Sequence, residues 1–165
     1  NPKRVRHPGC LWDLGDEGSV YFGSLELITE TGCPQEVKIQ PDSLNTPEAA
    51  FTLRDFELYQ ESSGGENWNS LNHIDKNGDL TTLYRGYRLT SENALEHTGD
   101  RANPLLSLTG DGQPFQLAMP TFWQNFPSNI GYQKGKIIVG LFPARPDNQS
   151  YELQGGERKT LRHLP

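Results

Sequence analysis

The stretch Lys136-Ile137-Ile138-Val139-Gly140-Leu141-Phe142 decides the fold class. It is short, rich in β-branched residues, and bounded by Lys134-Gly135 on one side and Pro143 on the other. An apolar run of this length reads as a strand covered on both faces, because a helix needs a longer periodic pattern. It is expected to be a central strand.

Outward from it, alternating or β-rich runs recur at residues 19–29, 36–40, 51–60, 80–89, 105–108, 114–122, 150–154 and 158–163. The 17 Gly and 12 Pro punctuate these runs, as expected of short strands joined by turns. Asn77-Gly78 carries the signature of a type I′ hairpin, since both residues tolerate positive φ. Gly64-Gly65, Gly110-Asp111-Gly112 and Gly155-Gly156 mark further turns. One stretch competes for a helix. Thr46-Pro47-Glu48 offers an N-cap, a first-turn proline and an acidic residue. Beyond it, Phe51/Leu53 and Phe56/Leu58 each alternate, which favours a strand with a bulge between the pairs and at most one helical turn at 47–50. The fold predicted is all-β, an antiparallel β-sandwich of super-sandwich type with little or no helix.

The 165 residues suit one domain, although only 33 % are apolar and the mean hydropathy is -0.70. Three Trp, six Tyr and seven Phe argue against disorder. A net charge of -6 and a pI near 5.2 argue against a general binder of nucleic acid. No run approaches the ~18 apolar residues of a membrane span, and no secretory leader is visible. The chain starts without Met, and its end, Lys159-Thr160-Leu161-Arg162-His163, still reads as strand. It is therefore expected to be one domain, 1–165, cut from a larger multidomain protein. Cys10 and Cys33 are either a pair or two free thiols.

Asp75-Lys76-Asn77-Gly78-Asp79 has oxygen ligands at alternate positions, so Asp75, Asn77 and Asp79 outline a calcium site. The glycine falls at the fourth place of the loop and Gly86 at the twelfth, where a bidentate Glu belongs. A hairpin turn explains these residues without a metal, and no cofactor is expected. No zinc spacing, phosphate loop, dinucleotide fingerprint or Gly-x-Ser-x-Gly elbow is present.

Two regions carry chemistry more readily. The polar loop at 62–73 holds Trp68, Asn72 and His73, and the following run reads Tyr84-Arg85-Gly86-Tyr87-Arg88. Strand alternation puts Arg85 with Tyr87 on one face and Tyr84 with Arg88 on the other, each face pairing a guanidinium with a phenol. Packing of cation on ring is the plain structural alternative. The second region joins Trp123 and Asn125, a ring and an amide suited to a sugar, to Glu157 and Lys159 beyond Gly155-Gly156.

Longer phrases resemble a known family. These are residues 7–19, Ser62-Ser63-Gly64-Gly65-Glu66-Asn67-Trp68, Arg85-Gly86-Tyr87, Phe122-Trp123-Gln124-Asn125-Phe126-Pro127 and Glu152-Leu153-Gln154-Gly155-Gly156-Glu157-Arg158-Lys159-Thr160. They resemble the PcRGLX/YetA-like proteins, which are similar to exo-rhamnogalacturonan lyases of polysaccharide lyase family 26. The resemblance covers roughly residues 7 to 160 and departs from the familiar pattern at Cys10 and Leu71. It implies the central β-sandwich of an enzyme that also has a barrel-like and a helical toroid domain. It implies β-elimination at a galacturonate, with a uronate-bearing polysaccharide and neighbouring domains as partners and an extracellular or periplasmic setting.

Such chemistry needs a cation on the uronate, a base for the C5 proton and an acid for the leaving oxygen. By residue type, His73 suits the base or acid, Arg85 or Arg88 the cation, and Tyr87 the proton donor. Trp68, Asn72, Arg88, Trp123, Asn125 and Glu157 would contact substrate. The alternatives are a non-catalytic sugar-binding module or a purely structural β domain.

Overall fold

Two-residue alternation sends one set of side chains inward along each strand, and the strand partners line those sets up. The computed structural model describes residues 20–32, 34–70, 81–92, 94–110, 114–145, 148–153 and 158–160. The strands are β1 (Val20–Phe22), β2 (Leu25–Glu30), β3 (Glu36–Gln40), β4 (Phe51–Thr52), β5 (Phe56–Gln60) and β6 (Tyr87–Ser91). They continue as β7 (Ala94–Gly99), β8 (Leu105–Thr109), β9 (Phe115–Ala118), β10 (Ser128–Gln133), β11 (Lys136–Phe142) and β12 (Tyr151–Leu153). A 3-10 turn spans Trp123–Asn125.

A six-stranded sheet runs β2-β11-β10-β5-β6-β7 and a four-stranded sheet runs β4-β3-β8-β9. β1 and β12 form a separate ribbon, and the strand pairs in all three are antiparallel. The antiparallel sandwich expected from the turn rhythm is the observed fold. Its core rests on one rung across the larger sheet: Leu89, Leu58, Ile130 and Val139 stand opposite one another on successive strands. Val37, Ile39, Leu106, Leu108 and Leu117 of the smaller sheet belong to the same buried cluster. Each fully buried aliphatic side chain here contributes about 1.5–3 kcal/mol.

The sandwich departs from the expected elements in instructive places. The run at 51–60 is two strands in different sheets, because the chain crosses between layers at residues 53–55. Residues 46–50 form turns, with the Thr46 hydroxyl donating back to the Asp42 carbonyl at 3.2 Å. The run at 19–29 likewise divides into β1 and β2, which lie in different sheets. The strand expected at 80–89 begins only at Tyr87. β11 is second from the sheet edge, between β2 and β10. Ile137 and Val139 are buried inward, while Ile138 on the other face is half-buried. The double cover expected of β11 is thus incomplete. β7 and β10 are strands that the sequence pattern does not predict. The Asn77-Gly78 hairpin, Cys10 and Cys33 lie outside the described residues.

Candidate functional site

The end of β5 organises the loops around it. Gln60 is fully buried, and its amide donates to the carbonyls of Ser62 at 2.6 Å and Asp100 at 2.9 Å. Its Oε1 accepts the Ala102 N–H at 2.9 Å. The Ser62 hydroxyl accepts the Gly86 N–H at 2.8 Å, and the Gly86 carbonyl accepts from Glu61 at 2.9 Å. Buried polar groups satisfied in this way hold the segments 60–65, 85–86 and 99–102 together.

Two guanidiniums grip that assembly from outside. Arg85 Nε donates to the Gly64 carbonyl at 3.0 Å, and its Nη2 meets Asp100 Oδ2 at 2.9 Å. Arg101 Nε donates to the neighbouring Ser63 carbonyl at 3.2 Å. The Arg101 guanidinium lies over the Trp123 ring, 4.3 Å from its centroid. No carboxylate pairs with Arg101 among the described residues. The Arg85–Asp100 pair is 45 % and 59 % exposed, so solvent leaves it about 0–1 kcal/mol and an incoming anion can compete for it. Cation, aromatic ring and loop carbonyls therefore meet on one open surface.

The other expected residues are distributed differently. Trp68 is half-buried in the turn that follows Gly65, with its N–H donating to the Gly65 carbonyl at 3.2 Å. Asn125 directs its amide to the Thr121 carbonyl at 2.7 Å, which closes the 3-10 turn carrying Trp123. Tyr87 lies in the core at 3 % exposure, with its hydroxyl end against Gly99, where a Cβ would come within 2.6 Å of the ring. Burial pushes its phenol up to about 12, so it holds its proton but is shut away from solvent. Arg85 and Tyr87 therefore diverge. Tyr84 and Arg88 do meet, with the guanidinium 3.9 Å over the ring centroid on the face of the larger sheet that points away from the core. Asn72, His73 and Glu157, with Asp75, Asn77 and Asp79 of the calcium outline, lie outside the described residues.

Below Tyr84 on that outer face is a buried polar layer. Tyr59 lies near Tyr151, Glu61 and Arg145, and burial, ahead of these neighbours, raises its phenol. Glu61 accepts the Leu83 N–H at 2.8 Å, while Arg145 donates to the Thr81 carbonyl at 2.8 Å. The residue that sequence reasoning missed is Arg101. Asp100-Arg101 reads as an ordinary charged turn, and nothing local links it to a tryptophan 22 positions on.

No family model, curated protein or solved structure matches this chain.

Proposed function

We propose that this chain is a β-sandwich domain of a carbohydrate-active enzyme, forming one wall of a polysaccharide-lyase site for uronate-bearing glycans such as rhamnogalacturonan. The observation that carries the reading is Arg101, stacked on Trp123 at 4.3 Å and lacking a carboxylate partner among the described residues. A guanidinium matches a uronate carboxylate, and the indole offers an apolar edge to the sugar ring. Arg85 lies on the adjoining carbonyl and adds positive charge to the same surface. In β-elimination, neutralising the carboxylate stabilises the negative charge that develops as the C5 proton leaves. A base takes that proton, the C4–O bond breaks, and an acid protonates the departing oxygen. Tyr87, sealed in the core, is not suited to be the acid; His73 stays the candidate by residue type.

A second reading has its own support. Tyr87 is buried and the Asp100 carboxylate is paired with Arg85, which leaves an anion-binding surface whose described carboxylate is already engaged. That pattern suits a sugar-binding module that positions glycan for chemistry elsewhere.

Calorimetric titration with oligogalacturonate and with rhamnogalacturonan oligosaccharides tests both readings. Binding is expected, with Arg101→Ala weakening it about tenfold, the loss of one charge-assisted contact. A neutral galactan oligosaccharide of equal length should bind more weakly. Absence of uronate binding sinks both readings. Ultraviolet absorbance of the unsaturated product, followed with this chain and with a longer protein containing it, separates lyase from binding module.

A further inference from the structure

At the opposite end of β5 from Gln60, the outer face of the six-stranded sheet opens into a groove of about 330 Å³. That is the small end of the range of roughly 300–1,000 Å³ typical of ligand clefts. Its floor exists because Gly131, in the middle of β10, has no side chain where its strand neighbours Glu57 and Ile138 do. A Cβ at Gly131 would meet the Phe56 carbonyl at 3.0 Å, so the position resists filling.

The lining is one-sided in charge. Asp55, Glu57 and Glu92 supply three carboxylates, and no Lys or Arg is among the described residues that line the groove. The backbone N–H of Lys134 donates to Asp55 Oδ1 at 2.9 Å. Asn129 also lines the groove at 4 % exposure. Its amide donates to Glu57 Oε1 at 2.6 Å, while its own Oδ1, turned toward Gly140, is buried with no donor among the described residues. Acceptors outnumber donors throughout, so a ligand that fits must bring hydrogen-bond donors and positive charge. Among the described residues no three acidic or histidine side chains gather closely enough to hold a metal ion. The three carboxylates come from three segments, the lead-in to β5, β5 itself and the turn between β6 and β7, which suits a ligand with more than one ammonium group better than a point charge.

We propose that this groove binds an organic ligand carrying primary ammonium groups, one or more of them held by Glu57, Glu92 and Asp55. The proposal goes beyond the uronate reading: it concerns the other end of β5 and a ligand of opposite charge. Two sources supply that chemistry, a linear polyamine and an amino sugar within a glycan.

Calorimetry or amide chemical-shift titration of the whole chain tests the proposal with spermidine, a tetramer of glucosamine, and the N-acetylated tetramer as a neutral control. Binding of either amine, weakened by added salt, supports the proposal, and the preferred amine identifies the source. Glu57→Gln and Glu92→Gln should each weaken amine binding about two- to fivefold, as expected for an exposed ionic contact. Glu57→Gln keeps an acceptor for the Asn129 amide, and an unchanged thermal midpoint shows that the variant folds. Failure of both amines to bind, or equal binding of the N-acetylated tetramer, overturns the proposal. So does unchanged affinity in both folded variants. Arg101→Ala leaves amine binding intact and Glu57→Gln leaves uronate binding intact, so failure of one site is distinct from failure of the other.

Discussion

Arg85, Gly86 and Tyr87 show how one residue redirects its neighbours. Alternation through this stretch places Arg85 and Tyr87 together, but Gly86 adopts φ +73 and β6 starts only after it. The left-handed turn sends Arg85 to Gly64 and Asp100 and Tyr87 into the core. A Cβ on Gly86 would lie 2.0 Å from the Gly99 carbonyl, and one on Gly64 would lie 1.9 Å from the Asp100 carbonyl. Both glycines are thus fixed by conformation and by close backbone approach. Gly86→Ala is expected to cost at least about 1–3 kcal/mol, the usual scale of backbone strain, before any steric shift is added. Urea denaturation measures the loss. The same substitution should also weaken uronate binding, because the carbonyls that orient Arg85 and Arg101 shift with it.

At the level of elements, legibility followed apolar content. β11 and β8 were visible in sequence because their inward residues form continuous or alternating apolar runs. β10, Ser128-Asn129-Ile130-Gly131-Tyr132-Gln133, carries only two large apolar residues, and glycine and amide on its outer side line the groove instead. β7 is an edge strand with mostly exposed residues, so no burial pattern marks it. The opposite edge is β2, whose Leu25, Leu27 and Ile28 are all more than half exposed. Leu27 stands opposite Val139 at the end of the core rung, but there its side chain is left uncovered among the described residues. An exposed, apolar edge strand invites pairing with another chain. Ile28→Lys is expected to reduce self-association while changing stability by no more than about 0.5 kcal/mol, as for other surface substitutions. Concentration-dependent light scattering beside thermal denaturation checks both parts.

For the whole molecule, buried titratable groups set the response to pH. Tyr87 is pushed up to about 12, and burial also raises Tyr59 and Tyr84. Below pH 10 these phenols are protonated whether the chain is folded or not, so they add no pH dependence there. Between about 10 and 12 the unfolded chain sheds protons that the folded chain retains. Stability should then fall by up to about 1.4 kcal/mol per pH unit for each such tyrosine. Tyr87→Phe should flatten that decline in urea titrations over the same interval. Lys159 acts in the opposite direction. Burial lowers its amine to about 7, with Nζ donating to the Pro127 carbonyl at 2.6 Å and lying 4.5 Å from the centre of the Phe142 ring. Between 7 and 10.5 the unfolded chain holds the extra proton, so stability should rise with pH across that window. Lys159→Met removes the rise; a slope unchanged by the substitution would contradict this assignment.

The sequence by itself determined that this is an antiparallel β-sandwich. Turn residues at short intervals and period-two alternation are local signals, and a chain of such strands buries one face of each by pairing two sheets. Tyr84 and Arg88 do meet, as alternation suggests, but across the Gly86 turn rather than along one strand, since β6 starts only at Tyr87. The tertiary structure alone decided which sheet each strand joins, and with it which polar residues meet. Arg101 reaches Trp123, and Asn129 reaches Glu57 across 72 positions, only because β5, β6 and β10 lie side by side. Contacts of that span depend on long-range strand pairing, and no local pattern of residues encodes them.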